Sequence, residues 1–93
     1  MTPATLFFKI VGLQHYGNHK FTHTDENKIK FKKEETNQYD SNAIKVLLEK
    51  KHVGYISKND NKKVLNFMKI HDTYELELFV SNIHEAVFIL KQI

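Results

Sequence analysis

The residues whose types and spacing could do chemistry lie in one short stretch, Asn37-Gln38-Tyr39-Asp40-Ser41-Asn42-Ala43-Ile44-Lys45-Val46. Asp40 supplies a carboxylate, which accepts hydrogen bonds and repels phosphate. Tyr39 supplies a ring that can stack on a base, and Asn37 an amide that both donates and accepts. A second signal, Val53-Gly54-Tyr55-Ile56-Ser57, places another phenol beside a glycine. An Asn/Tyr/Asp turn on one strand and a Gly-Tyr step on the next suggest one site built from both. A plainer reading stands beside this one. Asn, Asp and Ser side chains hydrogen-bond their own backbone, so Asp40 and Asn42 could simply hold the turn. Tyr39 could pack beneath it, and Gly54 could serve a tight strand crossing.

These side chains need elements to position them. Leu6 to Leu13 reads as a strand, apolar on both faces and therefore central, with Gly12 marking a bulge or a close backbone approach. Gln14 to Asp25 reads as a polar loop. Lys28-Ile29-Lys30-Phe31-Lys32 alternates cleanly, with Ile29 and Phe31 inward. Ala43–Leu48 and His52–Ser57 continue a meander across the turns at Asn37–Ser41 and Glu49–His52. Ser57 is suited to cap a helix that begins with Lys58-Asn59-Asp60-Asn61. In that helix Val64, Leu65 and Met68 form an apolar stripe, read as core. Thr73 to Val80 alternates with Tyr74, Leu76, Leu78 and Val80 on one face. Asn82–Glu85 turns the chain, and Ala86–Leu90 closes it. Six short strands and one helix predict a mainly β fold, a small antiparallel barrel of the OB-like or SH3-like kind, forming a single domain over residues 1–93.

Composition narrows the function classes. A chain of 93 residues is near the lower size limit for a useful core, and seven Phe and four Tyr partly compensate. Without Cys there is no disulfide framework and no Cys-ligated zinc. No signal peptide is visible, and no run approaches the roughly 20 apolar residues of a membrane span. A soluble cytoplasmic protein is expected, nucleoid-associated if it binds DNA, with no membrane partner. The net charge is +3, and all 14 basic residues are Lys. Lysine is a point charge suited to phosphate, whereas arginine makes the two-pronged contact to guanine. A nucleic acid would be held by its backbone, and a solvated lysine surface is the bland alternative.

Two further chemistries are disfavoured. His15, His19 and His23 recur every four residues, but Gly17 and Asn18 interrupt the segment and no carboxylate or Cys completes a ligand set. No metal and no small-molecule cofactor are expected. Asp40 with His52 or His15 is the only conceivable hydrolytic set, and nothing in the spacing supports it. The chain is not expected to be an enzyme.

Three segments together resemble the HIRAN domain family: Phe8-Lys9-Ile10-Val11-Gly12-Leu13, then Glu35-Thr36-Asn37-Gln38-Tyr39-Asp40-Ser41-Asn42-Ala43-Ile44-Lys45-Val46, then Val53-Gly54-Tyr55-Ile56 before the helix. The resemblance implies a six-stranded OB-like barrel with a helix, and binding of single-stranded DNA at a free 3′ end. It implies that Asn37, Tyr39 and Asp40 line an end pocket with Tyr55 beside them. Asp40 would accept a hydrogen bond from the terminal 3′-hydroxyl, and Tyr39 would pack on the last nucleotide. His15 and Tyr16 are further stacking candidates. Lys33 and Lys58 are candidates to track the backbone, and Lys62 and Lys63 are either that or a solvated helix face. The chain departs from the family pattern at Gln14-His15, where a basic and an aromatic residue are usual, at Lys33-Glu34-Glu35 and at Gln38. Fewer positive charges near a phosphate leave a second expectation, a protein-interaction module that docks onto a larger DNA repair, replication or defence assembly.

Overall fold

A computed structural model describes residues 4–82 and 84–93. Six strands and one helix follow in order: β1 (Thr5–Val11), β2 (Ile29–Lys33), β3 (Ile44–Leu48), β4 (Lys51–Ile56), α1 (Asn61–Ile70), β5 (Tyr74–Ser81) and β6 (Ala86–Gln92). All pairs are antiparallel, and the strands lie in the order β2-β3-β4-β1-β6-β5. This is the mainly β, six-stranded fold with one helix that the alternation predicts, curled into a half-barrel. β2 and β5 are the two edges, and they face each other across a seam of mixed polarity, lined by Ile29, Lys30 and Phe31 on one side and by Asp72, Thr73, Tyr74 and Leu76 on the other. A 3₁₀ helix, His23–Lys28, lies against β5 and supplies a partner for its edge: the Glu26 carboxylate accepts the Leu78 N–H at 2.7 Å. Without such a partner an edge N–H would face the seam unpaired.

The core follows the inward set of each strand. Phe8 and Ile10 from β1, Ile44 and Val46 from β3, Val53 from β4, and Phe88 and Leu90 from β6 are all buried. Val64 and Phe67 of α1 close over one end. Phe67 belongs to the helical stripe together with Val64, while Leu65 and Met68 sit half-buried at its margins.

Several expectations need correction. β1 is central, but only one of its faces is buried; Phe7 is 52% exposed, with its ring edge-on to Phe79 at 5.4 Å. The strand stops at Val11 because Gly12 takes a left-handed φ of 74° and starts a 3₁₀ turn at Leu13–His15. Nothing lies near the position of a Gly12 Cβ, so its role is that φ and not a close approach. The loop after it is not wholly polar, since Phe21 is buried against Phe88. β5 carries a bulge between Leu78 and Val80, which turns Val80 outward although Tyr74, Leu76 and Leu78 face inward. Ser57 does not cap α1 with its side chain. Its carbonyl instead accepts the N–H groups of Asp60 and Asn61 at 2.8 and 3.1 Å, making Lys58–Asp60 a separate turn. The helix therefore begins at Asn61. Asp60, freed from capping, accepts the Lys9 N–H at 3.0 Å and ties the turn to β1.

Candidate nucleic-acid interface

The turn between β2 and β3 is built from its own side chains. The Asn37 amide oxygen accepts the N–H groups of Tyr39 and Asp40 at 2.9 and 3.0 Å. Asp40 Oδ1 accepts the Asn42 N–H at 2.9 Å, and the Ala43 N–H returns to the Asp40 carbonyl at 3.0 Å. The structural reading of Asp40 is therefore correct as far as it goes. The second carboxylate oxygen is also engaged: Oδ2 accepts the Asn61 amide at 2.7 Å, from the first residue of α1. An ionised carboxylate offers roughly four acceptor positions. The two protein bonds leave acceptor capacity on each oxygen, and Asp40 borders an open groove.

That groove, of about 450 Å³, is lined by Asn37, Tyr39, Asp40, Tyr55 and Lys58, with Val11, Ala43, Ile56 and Asn61 forming the rest of its walls. Five of the eight candidate site residues thus meet at one place. Tyr39 does not pack beneath the turn; it is 85% exposed and stands at the groove as a free ring. Gly54 is where the close approach occurs. A Cβ there would lie 2.9 Å from both the Val11 carbonyl and the Leu13 side chain. The missing side chain lets β4 cross tightly over β1, next to Tyr55.

Tyr55 is held from two sides. Its hydroxyl donates to Glu34 Oε1 at 2.7 Å. Its ring meets Tyr16 edge-on at 6.0 Å and His52 at 4.8 Å, and Tyr16 lies 4.0 Å from His52. The same Glu34 oxygen accepts the Asn37 amide at 3.1 Å, while Lys45 pairs with Oε2 at 3.1 Å. Hydrogen bonds from Tyr55 and Asn37, with help from Lys45, bring the Glu34 carboxyl down to about 2. Burial and the Glu34 carboxylate push the Tyr55 phenol up, so it stays a donor. Burial lowers His52, whose Nε2 lies 2.9 Å from the Gly54 carbonyl, so it acts as a neutral donor. The Asn42 N–H, then Asn61, Lys58 and Lys62, hold Asp40 below the usual carboxylate range.

The remaining candidates lie elsewhere. Tyr16 supports Tyr55 from behind and does not line the groove. His15 is exposed at the end of its 3₁₀ turn, and Lys33 is exposed at the end of β2, opposite Ile44. His19 and His23 bond Asp25 and Glu26 separately, at 3.0 and 2.9 Å. Among the described residues no cluster of three His, Cys, Asp or Glu could hold a metal. Sequence reasoning missed Glu34, Lys45 and Asn61. Glu34 left a local trace, three residues before Asn37 in a turn, but Asn61 and Asp40 are 21 positions apart and left none.

The fold and the groove define a class, small OB-like β-modules that present an aromatic-and-carboxylate groove where two strands and a helix start meet. The chain belongs to the HIRAN domain family, whose model matches residues 3–91. A solved structure, the crystal structure of the HIRAN domain of human HLTF, is similar with a TM-score of 0.71 at 20% identity, covering 97% of this chain and 76% of that one. At that identity the likeness is one of fold. No curated protein sequence matches the chain.

Proposed function

We propose that this chain is a non-enzymatic DNA-binding module that prefers single strands ending in a free 3′-hydroxyl. Membership of the HIRAN family supports the DNA-binding role. The observation that carries the end preference is the ionised Asp40 at the groove, between the exposed Tyr39 ring and Tyr55. A carboxylate beside DNA is a liability unless a donor meets it. At about 4 Å and an effective dielectric of about 20, it repels a phosphate by roughly 4 kcal/mol. If screening halves that term, roughly 2 kcal/mol remains, more than tenfold in affinity. A 3′-hydroxyl donates to the free lone pairs of Asp40; a continuing strand brings a phosphate there instead. Stacking on Tyr39 and Tyr55 adds about 1–3 kcal/mol per base without reading sequence. Lys58 at the groove and Lys62 near Asp40 draw in the backbone phosphates.

Fluorescence polarisation with 3′-hydroxyl and 3′-phosphate oligonucleotides tests this reading. The hydroxyl end should bind at least about tenfold tighter. Asp40→Asn keeps an acceptor for the Asn42 N–H but sets a donor against the buried Asn61 amide. It should lose the preference, with a stability loss of about 1 kcal/mol read separately by Tm. Equal affinity for both ends removes the end-recognition mechanism. No binding at low salt removes the DNA role and leaves the protein-interaction module in its place.

A further inference from the structure

We propose that Asn61 is the specificity-determining residue of this groove: by holding one Asp40 oxygen from the helix, it aims the remaining lone pairs at the strand end. The inference rests on the end-recognition reading above.

Asn61 is the one polar side chain among the described residues that is buried, with 2% of its surface exposed. The other buried residues of α1, Val64 and Phe67, are apolar. A helix-start position that only packed would favour an apolar side chain, because burying an amide costs free energy unless it is bonded. The Asn61 amide is bonded, to Asp40 Oδ2 at 2.7 Å. The turn by itself pins Asp40 only through Oδ1 and the Asn42 N–H. A carboxylate held at one oxygen still rotates, because the torsion before an sp² group is broad. A second bond from a different element removes that rotation. The charges that face Asp40 are Lys58, in the turn before α1, and Lys62, in its first turn. Released by loss of Asn61, the carboxylate can swing onto these lysines. That would neutralise cations meant for phosphate and withdraw the acceptor meant for the hydroxyl. Asn61 is thus a positioning residue, acting on the ligand through Asp40.

The test compares short oligothymidines ending in a 3′-hydroxyl or a 3′-deoxy sugar, a pair that does not itself titrate. A hydrogen bond to a charged acceptor predicts that the full chain favours the hydroxyl by about tenfold or more. Asn61→Ala should bring that ratio below about threefold. A Tm measurement accompanies it, and because the result is a ratio of affinities, a uniform loss of folded protein cancels. Asn61→Asp supplies the decisive readout. Two carboxyls in contact share a proton, which raises one of their pKa values. Toward about pH 4.5 the shared proton is donated to Asp40 as the amide's was, and at about pH 8 it is lost. The N61D ratio should therefore recover on acidification, while the wild-type ratio stays flat. An N61A ratio equal to wild type, or an N61D ratio that ignores pH, overturns the role of Asn61 alone. Equal binding of both oligonucleotides by the wild type overturns the end-recognition reading beneath it.

Discussion

Glu34 decides how the groove is held, although it is not in its lining. One carboxylate receives the Tyr55 hydroxyl, the Asn37 amide and the Lys45 ammonium. It ties the ring from β4 to the turn that carries Asp40. Glu34→Ala leaves the Tyr55 and Asn37 donors without an acceptor, which should cost about 2 kcal/mol in urea denaturation. Oligonucleotide affinity should fall several-fold as the ring loosens. Glu34→Gln keeps a neutral acceptor for Tyr55 and should lose less on both measurements. Equal losses from the two substitutions would mean that charge alone matters and the geometry does not. At this scale the sequence was informative about Asn37, Tyr39, Asp40, Tyr55 and Lys58, whose types sit in or beside a recognisable turn and a Gly-Tyr step. Glu34 was visible but had no role, because its partner Tyr55 is 21 positions away across the sheet.

At the scale of elements, β4 leaves no room for a side chain at Gly54. Gly54 approaches the Val11 carbonyl so closely that an added methyl group meets backbone, which cannot rotate away. Gly54→Ala should destabilise the fold by about 2 kcal/mol or more, read as a lower urea midpoint with an unchanged m-value. A stability equal to wild type would show that β4 can shift away from β1. Where element-level expectations failed, long-range contacts had overridden local pattern. The period-2 pattern of β5 continues through Val80, but the bulge at Leu78/Val80 breaks the facing that it predicts. Ser57 is a good capping residue by type, yet its carbonyl closes a turn first, so the helix starts at Asn61, three residues after the expected Lys58. Phe21 lies in a polar stretch and is buried because Phe88 and His19 pack on it.

For the whole molecule, the acid limb of stability is set by carboxylates whose folded pKa is depressed. Glu34 falls from an ordinary 4.5 to about 2, and Asp40, Asp25 and Glu26 are lowered as well. Each therefore contributes stability that is fully present above the unfolded pKa. That contribution is lost as pH falls through the folded value. The Tm should decline slightly below about pH 6.5, where the unfolded chain protonates His52 and the fold resists it, and fall steeply between about pH 4.5 and pH 2. In Glu34→Gln the fall should be shallower. A mutant curve parallel to wild type would remove Glu34 as a contributor to acid unfolding.

The sequence by itself determined the strand content, the turn at Asn37–Ser41, the single helix and the family. Those depend on residue type and on spacing over a few positions, where alternation and side-chain-to-backbone bonding act locally. Only the tertiary structure decided that the sheet stays a half-barrel with two edges, that Tyr39 stands free, and that Asp40 answers to Asn61. The Tyr55–Glu34 and Asn61–Asp40 bonds join residues 21 positions apart, and the Tyr16–Tyr55 and Phe21–Phe88 ring contacts join residues farther apart still. No local pattern encodes such a pairing; it exists only once the strands and the helix start have been brought together.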